Sequence, residues 1–435
     1  MSSSTAVPAP TLPELVSGPH FHYKAGALHA EDVSLTELAN ALDTPLYVYS
    51  RAALNEAWGA YQAAIDGRDV LVCYGMKANS NLGILKLFAD LGAGFDIVSG
   101  GELQRVLAVG GAPDRIVFSG VGKQAWEMRA ALQAGVKSFN VESEAELRLL
   151  SEVAHAMGAT APVSLRVNPD VDAKTHPYIS TGLKDNKFGI AIENAPEVYA
   201  LAVSLPNLNV IGVDCHIGSQ LTEVSPYLDA LEKLLDLIER LAQSGISIRH
   251  LDIGGGIGIR YTDETLLSPK HLLDQVFARL TARGLNHLQL VMEPGRSLVG
   301  NAGVLLTRVQ YLKHAEARNF AIVDAAMNDL LRPALYQAWH NVAPVTPRSG
   351  ADKQPYDIVG PVCESADWLA KDRRMEVAAG DLLAIESAGA YSMTMASNYN
   401  TRARPAEVIV DGAAHHVVRQ RDTFADMIKG ESTLP

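Results

Sequence analysis

The feature that most constrains the fold is a regular alternation of short apolar runs with amphipathic segments between residues 69 and 293. Eight runs rich in Val, Ile and Leu predict strands at 69–75, 94–98, 115–119, 138–141, 162–168, 209–216, 249–254 and 288–293. Between them, apolar residues recur at spacings of three and four, the period of an α-helix. These helical segments include 82–91, 101–109, 124–134, 144–157, 226–244 and 269–282.

Alternating strand and helix units predict a parallel sheet whose crossovers are right-handed. Eight such units in this stretch favour an α/β fold with a closed (β/α)8 barrel of the TIM type. An open, doubly wound sheet is the alternative.

The pattern changes after residue 300, where strand-like segments follow one another with few long helical patterns. They lie at 303–312, 319–324, 356–362, 381–386 and 407–410, and one more strand is predicted at 45–50, ahead of the first strand–helix unit. We therefore predict an N-terminal arm at 1–45 that contributes to a β domain, a barrel at 46–300, and a C-terminal β-rich domain, a sandwich or barrel, at 301–435.

Composition excludes several classes of protein. The formal charge is −12, from 37 Lys and Arg against 49 Asp and Glu, and no basic block interrupts it. This balance argues against a nucleic-acid or anionic-membrane surface, and no apolar run reaches the roughly 18 residues of a membrane helix. Cys73, Cys215 and Cys363 are odd in number and lack a CxxC spacing, so neither a disulfide scaffold nor a metal site is supported. We predict a cytoplasmic globular protein.

Polar residues and glycines stand at the ends of the predicted barrel strands. Active sites of barrels form at the carboxyl ends of the strands, so these residues are expected to converge on one face. They are Lys77, Asp96, Ser119, Glu142, Ser143, Arg166, Asn168, His216, Gly254, Gly255, Gly256, Glu293, Pro294, Gly295 and Arg296.

Two of these positions have a structural and a chemical interpretation. Lys77, in Tyr-Gly-Met-Lys-Ala-Asn, is either a lysine that marks the exit of a strand or an amine that forms a Schiff base with an aldehyde. The run Gly254–Gly256 is either a tight turn or a backbone cradle for a phosphate. It fits neither the Walker pattern nor GxGxxG.

Further candidate site residues have side chains that suit a particular chemical role. His216 in Cys-His-Ile-Gly-Ser-Gln is either a core histidine or a ligand-facing one, and Glu293 either caps a turn or holds a proton on a heteroaromatic nitrogen. A lone cysteine is usually a small buried apolar residue, but Cys363 is followed by Glu and preceded by Gly-Pro-Val. Arg296 and Arg332 together would suit a substrate with more than one carboxylate.

Seven strings resemble those of the diaminopimelate decarboxylases: YGMKAN, HIGSQ, GGGIG, EPGR, MNDLLRPALY, GPVCESADWLAKDR and GAYSMTMASNYN. The resemblance runs in order from about residue 45 to residue 410. It implies a fold-type III enzyme with an alanine-racemase-type barrel and a C-terminal β domain. The implied reaction is the decarboxylation of meso-2,6-diaminopimelate to L-lysine and CO2, the last step of lysine biosynthesis.

The resemblance also implies roles for individual residues. The cofactor would be pyridoxal 5'-phosphate, bound by Lys77, Asp96, His216, Ser219, Gly254, Gly255, Gly256, Glu293, Pro294, Gly295, Arg296 and Tyr391. The substrate would contact Arg296, Arg332, Tyr336, Glu364 and Tyr391. The catalytic residues would be Lys77, His216 and Cys363. Cys363, as proton donor, and Glu364 would reach in from the partner subunit of a homodimer.

Four alternatives remain at this point. A sister decarboxylase would act on ornithine, arginine or carboxynorspermidine, and an amino-acid racemase would share the barrel. A protein-binding homologue would have lost the cofactor, and a phosphosugar enzyme would use the glycine run and the arginines. The sequence departs from the family at Gly75, where many relatives carry Ala; the change removes one methyl group.

Overall fold

The computed structural model describes residues 12–172, 186–348 and 353–435, and these form two compact units. The first, which we call the β unit, comprises the described residues within Met1–Glu56, Arg260–Glu264 and Val299–Pro435. The second, which we call the barrel unit, comprises those within Ala57–Ile259 and Thr265–Leu298. No helix in the described ranges is long and apolar enough to cross a membrane.

The N-terminal part of the β unit is a small antiparallel sheet followed by a helix and one more strand. Its elements are β1 (Phe21–Lys24), β2 (Ala27–Ala30), β3 (Val33–Ser34), α1 (Leu35–Leu42) and β4 (Leu46–Ser50). The helix begins at Leu35 because the side chain of Ser34 accepts a hydrogen bond from the N–H of Glu37, which would otherwise lack a partner.

The next part of the chain supplies the alternating strands and helices. They are α2 (Arg51–Ile65), β5 (Val70–Gly75), α3 (Leu82–Asp90), β6 (Gly94–Ile97), α4 (Gly100–Ala108), β7 (Ile116–Phe118), α5 (Ala125–Ala134), β8 (Ser138–Val141), α6 (Glu144–Met157), β9 (Ala161–Asn168), β10 (Ile190–Ala191), α7 (Ala195–Ser204), β11 (Leu208–Asp214), α8 (Ser225–Gln243), β12 (His250–Asp252), α9 (Pro269–Ala282), β13 (Gln289–Met292) and α10 (Arg296–Val299).

The strands of the barrel unit close into a cylinder. They pair in parallel in the order β5-β6-β7-β8-β9-β11-β12-β13, and β13 pairs with β5. Each of the eight predicted strands overlaps one of these, so the predicted (β/α)8 barrel is confirmed and the open sheet is wrong. The strands are nearly continuous apolar runs because helices cover a parallel barrel on the outside while side chains fill its interior.

Local chemistry sets the ends of the helices between the strands. Helix α6 begins after Ser143, whose side chain accepts from the N–H of Glu146. It ends at Gly158, whose φ of +62° is the left-handed conformation that terminates many helices. The predicted segment 144–157 therefore matches the observed helix.

The C-terminal part of the β unit is a large, mixed sheet. Its elements are β14 (Gly303–His314), β15 (Asn319–Val323), α11 (Arg332–Tyr336), β16 (Val342–Pro344), β17 (Gln354–Val359), β18 (Trp368–Met375), β19 (Leu382–Ile385), β20 (Ala406–Asp411), β21 (Ala414–Arg419) and α12 (Phe424–Met427). The strand order is β18-β17-β15-β14-β4-β20-β21, and β19 pairs with β14 and β16. The predicted β-rich architecture of the C-terminal part is confirmed.

Strand β4 lies in this sheet between β14 and β20. Its residues Leu46 and Val48 pack into a buried cluster with Val304, Leu306 and Val408. The structure thus places residues 46–56 in the β unit, although the predicted barrel limits, 46–300, included them. Long-range pairing decides this assignment, and a local apolar run carries no information about its partners.

A buried lysine in the barrel unit allows a test of what stabilises this unit. The Nζ atom of Lys123 donates to the backbone oxygens of Gly120 (2.8 Å) and Asn140 (2.7 Å) and lies 2.6 Å from a carboxylate oxygen of Glu146. The side chain of Lys123 has no exposed surface, and that of Glu146 is 6% exposed. Both groups are therefore shielded from water, and each compensates the buried charge of the other.

We expect Lys123→Met to destabilise the protein by about 3–5 kcal/mol, because it leaves the carboxyl group of Glu146 buried without its cation. The midpoint of urea denaturation measures the change. The matched control is Lys86→Met, since Lys86 is exposed and pairs with Asp90 on the surface of its helix, and it should leave the midpoint nearly unchanged. Equal midpoints for the two variants would show that the buried pair of Lys123 and Glu146 contributes no more to stability than the exposed pair of Lys86 and Asp90.

Candidate active site

The candidate site begins with an amine at the end of the first barrel strand. Lys77 stands in a 3-10 turn, Met76–Ala78, directly after β5. Its Nζ donates to Oδ2 of Asp96 at 2.7 Å; the side chain of Asp96 is fully buried, while that of Lys77 is 39% exposed. A ligand can therefore reach the amine, whose charge is balanced by a fixed carboxylate.

Hydrogen bonds join the end of β5 to the turns that follow β12 and β13. The N–H of Gly75 donates to the oxygen of Pro294 (2.9 Å), and the N–H of Glu293 donates to the oxygen of Gly254 (2.8 Å). A Cβ atom at Gly75 would meet only ordinary contacts, the nearest at 3.5 Å from the oxygen of Glu293. Alanine would fit there, so the departure at Gly75 leaves the site unchanged.

The glycine run after β12 passes too close to its neighbours to carry side chains. A Cβ atom would lie 2.6 Å from the oxygen of Cys215 at Gly254, 2.0 Å from the oxygen of Glu293 at Gly255, and 2.5 Å from a backbone oxygen at Gly256. Gly254 and Gly256 also have φ values of +68° and +108°. The run is thus a tight turn in which Gly254 and Gly255 are buried and Gly256 is partly exposed.

His216 follows β11 and is fixed by this turn. Its Nδ1 accepts a hydrogen bond from the N–H of Gly255 at 3.2 Å. Burial lowers the pKa of His216 well below its usual value, and the charges of Arg166 and Lys77 lower it further. The ring is therefore neutral at physiological pH, with its proton on Nε2.

Arg296 and Ser219 form a second fixed pair. Arg296 is the first residue of α10 and is buried, and its Nε and Nη2 donate to Oγ of Ser219 at 3.3 and 3.1 Å. The barrel unit therefore orients this guanidinium before any ligand binds.

Three buried acids lie side by side at the ends of strands. Oxygens of Asp214, Asp252 and Glu293 are within 4.8 Å of one another. Oε1 of Glu293 accepts from Oγ of Ser119 (3.3 Å) and Nδ2 of Asn140 (3.4 Å). Oxygens at this spacing could also bind a cation, although an acidic cluster alone does not define a metal site.

Burial and mutual repulsion make these acids retain protons. The pKa of Glu293 is raised well above its usual value, first by burial and then by Asp252 and Asp96. Burial raises the pKa of Asp252 to about 7, although it accepts a hydrogen bond from the N–H of Gly254, and that of Asp214 rises in the same way. Sequence reasoning did not assign a role to Asp214 or Asp252; a charged residue at the end of an apolar strand was the available signal.

The β unit carries the remaining predicted residues. Arg332 is the first residue of α11 and is buried, and Tyr336, at the other end of that helix, is partly exposed. Nη1 of Arg332 lies 2.9 Å from Nε2 of His340, a residue that sequence reasoning missed because no motif singles it out.

Cys363 and Glu364 are exposed on the β unit. Cys363 is a free thiol whose N–H donates to Oδ1 of Asn400 (3.1 Å), and Glu364 accepts from the hydroxyl of Tyr399 (2.5 Å). Tyr391 has a φ of +55°, a left-handed conformation that costs about 1–2 kcal/mol for a residue with a side chain. Such strain is concentrated at functional sites.

The structure thus groups the predicted residues by unit. The barrel unit contains Lys77, Asp96, His216, Ser219, Gly254, Gly255, Gly256, Glu293, Pro294, Gly295 and Arg296. The β unit holds Arg332, Tyr336, Cys363, Glu364 and Tyr391.

Comparison with known proteins assigns the class. The family described as pyridoxal-dependent decarboxylase, pyridoxal binding domain, matches residues 51–300. The chain belongs to these decarboxylases, which are carboxy-lyases.

Relatives over the full length narrow the assignment. A diaminopimelate decarboxylase from Pseudomonas aeruginosa is 60% identical over 415 residues, which are 95% of this chain and 99% of the relative. The crystal structure of diaminopimelate decarboxylase from M. jannaschii has a TM-score of 0.92 at 38% identity, covering 97% and 99% of the two chains. That of the Helicobacter pylori enzyme complexed with L-lysine has a TM-score of 0.87 at 43% identity, covering 91% and 98%. Within the class, the chain belongs to the diaminopimelate decarboxylase family, and the resemblance seen in the sequence is confirmed.

The buried acids predict a pH dependence of stability. With a folded pKa of about 7 against 3.8 for the free group, Asp252 binds a proton in the folded state between about pH 4 and 7 that the unfolded chain lacks. The free energy of unfolding therefore falls as the pH rises through this window, by up to about 1.4 kcal/mol per pH unit for one proton.

We expect Asp252→Asn to flatten this slope in the cofactor-free protein, since Asn cannot ionise and still accepts from the N–H of Gly254. Thermal midpoints between pH 4 and 8 measure it. A slope equal to that of the unchanged protein would show that Asp252 is ionised throughout.

Proposed function

We propose that this chain removes CO2 from meso-2,6-diaminopimelate to give L-lysine, using pyridoxal 5'-phosphate, in the last step of lysine biosynthesis. The observation that carries the proposal is the partly exposed amine of Lys77 held against the buried Asp96, in a chain whose full-length relatives are diaminopimelate decarboxylases.

The residues of the barrel unit fit the cofactor in three respects. The glycine turn has no room for side chains, and its backbone at Gly256, which is partly exposed, could approach a phosphate. Lys77 offers an amine to an aldehyde, and Glu293 offers a buried carboxyl group to a heterocyclic nitrogen. The residues that would hold the group are Lys77, Asp96, His216, Ser219, Gly254, Gly255, Gly256, Glu293, Pro294, Gly295, Arg296 and Tyr391.

When bound, the cofactor supplies an electron sink for the pair of electrons that departing CO2 leaves behind. Glu293 would hold a proton at the ring nitrogen, because the neighbouring acids Asp252 and Asp214 raise the proton affinity of that region. His216, neutral and fixed by Gly255, would cover the ring without adding a charge that competes with this proton.

Cys363 would donate the proton that replaces the lost carboxyl group, as a positioned general acid. Its thiol is exposed on this chain, which supports a role in the site of a partner subunit within a homodimer. Glu364, the next residue and also exposed, would act from the same side.

Substrate selection would depend on the end of the molecule that does not react. Diaminopimelate carries an amino-acid head at each end, so the retained end presents a carboxylate and an ammonium group. Arg332 and Tyr336 would bind that carboxylate, and Glu364 the ammonium group; Arg296 and Tyr391 would also contact the substrate. Ornithine and arginine lack the retained carboxylate, and an arginine there would repel their distal cation.

The proposed location and partners of the protein follow from the decarboxylation of a small amino acid. A biosynthetic reaction on a free amino acid suits a cytoplasmic enzyme, and neither a nucleic acid nor a membrane is required as a partner.

A product assay on the purified protein with added pyridoxal phosphate tests the function. We expect CO2 and lysine from meso-diaminopimelate and no CO2 from ornithine or arginine offered in parallel. Release from ornithine or arginine would overturn the roles of Arg332 and Glu364. No release and no absorption band from bound cofactor would favour the non-catalytic homologue.

Two substitutions separate cofactor binding from proton transfer. Lys77→Ala should abolish both the visible absorption band of the bound cofactor and turnover, because the amine that binds the aldehyde is lost. Cys363→Ala should keep the band and lose most turnover, by roughly a hundredfold or more, as expected for a general acid. A normal rate in either variant removes that residue from the mechanism.

A further inference from the structure

The guanidinium of Arg332 is held on two sides by buried side chains of the β unit. Its Nη1 lies 2.9 Å from Nε2 of His340, and its Cζ lies 4.8 Å from the centroid of the Tyr261 ring. His340 has no exposed surface, and Arg332 and Tyr261 are each 6% exposed. A guanidinium can only donate hydrogen bonds, so Nε2 of His340 is the acceptor.

The other ring nitrogen fixes the protonation of His340. Nδ1 lies 2.8 Å from the backbone oxygen of Glu386, which can only accept. The proton of the imidazole therefore stands on Nδ1, and the lone pair of Nε2 faces Arg332. The ring of Tyr261 packs edge-on against the imidazole, with centroids 5.4 Å apart and planes at 84°.

The carbonyl that orients His340 is itself anchored. Glu386 follows β19, its N–H donates to the oxygen of Asn341 (2.9 Å), and its carboxylate accepts from the N–H groups of Val16 (2.8 Å) and Ser17 (2.9 Å). The direction of the imidazole is thus set by the sheet of the β unit.

This arrangement differs from an ion pair in one important respect. A neutral imidazole fixes one N–H of the guanidinium without compensating its charge, whereas a carboxylate would neutralise it. The aromatic face of Tyr261 adds an attraction that also leaves the charge intact. Arg332 is therefore held in one orientation by two contacts, neither of which itself neutralises its charge.

We propose that His340 is a positioning residue that, with Tyr261, aims Arg332 at the retained carboxylate of the substrate and so determines selectivity for a substrate that keeps this group. The inference rests on the proposed function, which assigns Arg332 to that carboxylate. It adds to the site two buried side chains, those of His340 and Tyr261, which lie outside the sequence motifs.

Two substitutions at His340 form a matched pair. In His340→Gln the amide falls near the place of Nε2, so it keeps an acceptor for Arg332 and loses the donor to Glu386. In His340→Asn the amide falls near Nδ1, so it keeps that donor and loses the acceptor. Each breaks one buried hydrogen bond, and their effects on stability should be similar.

Two probes isolate the retained carboxylate. L-Lysine carries the retained end of the substrate, and 1,5-diaminopentane is the same molecule without the carboxylate. Their affinities for the cofactor-loaded protein are measured by calorimetry, together with KM and kcat for meso-diaminopimelate.

For His340→Asn we expect roughly tenfold or greater loss of lysine affinity, a matching rise in KM, and unchanged binding of 1,5-diaminopentane. His340→Gln should stay within about threefold of the unchanged protein in all of these. Equal effects of the two variants, or equal weakening of the two probes, would make His340 a packing residue and overturn the proposal.

Two further variants complete the test. Arg332→Gln should lose lysine binding and keep 1,5-diaminopentane binding; if it loses neither, the role of Arg332 in the proposed function fails, separately from that of His340. If the His340 variants do not fold, Tyr261→Leu decides: a loss confined to lysine supports the proposal, and an unchanged ratio of the two affinities overturns it.

Discussion

An acid removed from water must keep a proton or face a cation, and the carboxyl end of the barrel is built around this requirement. Asp96 meets it with Lys77, whereas Glu293, Asp252 and Asp214 lie together and retain protons. The proton affinity that these neighbouring acids share would favour a protonated heterocycle placed against Glu293. The amine and the acid that the proposed chemistry uses are thus two solutions to one electrostatic constraint.

Close backbone approach holds these groups in place. The turn at Gly254 and Gly255 lies so near to His216 and Glu293 that no side chain could be added, and its N–H and C=O groups hold both neighbours. The glycines therefore bring three strand ends into contact, and only Gly256 is partly exposed, where an anion could approach the backbone.

The charged group of Arg332 in the β unit has different neighbours from that of Lys77 in the barrel unit. Lys77 faces a carboxylate, whereas Arg332 contacts an imidazole and an aromatic ring, two groups that fix its direction without themselves neutralising its charge. A group that is to bind a substrate anion needs its charge, and His340, held by the sheet, supplies orientation without neutralisation. Selectivity would in this way extend to residues that never touch the substrate.

The sequence by itself determined the barrel, because eight apolar runs alternating with helical periods leave few other folds, and the motifs singled out Lys77 and Glu293 as candidate site residues. It missed β18 and β21, in which charged and polar side chains break the apolar run, and it could not assign the strand at Leu46–Ser50 to its sheet. Only the tertiary structure brought Asp214 and Asp252 to Glu293 and His340 to Arg332. Periodicity is a local property of the chain, whereas proton affinity and orientation arise from neighbours that are distant in sequence and meet only when the chain is folded.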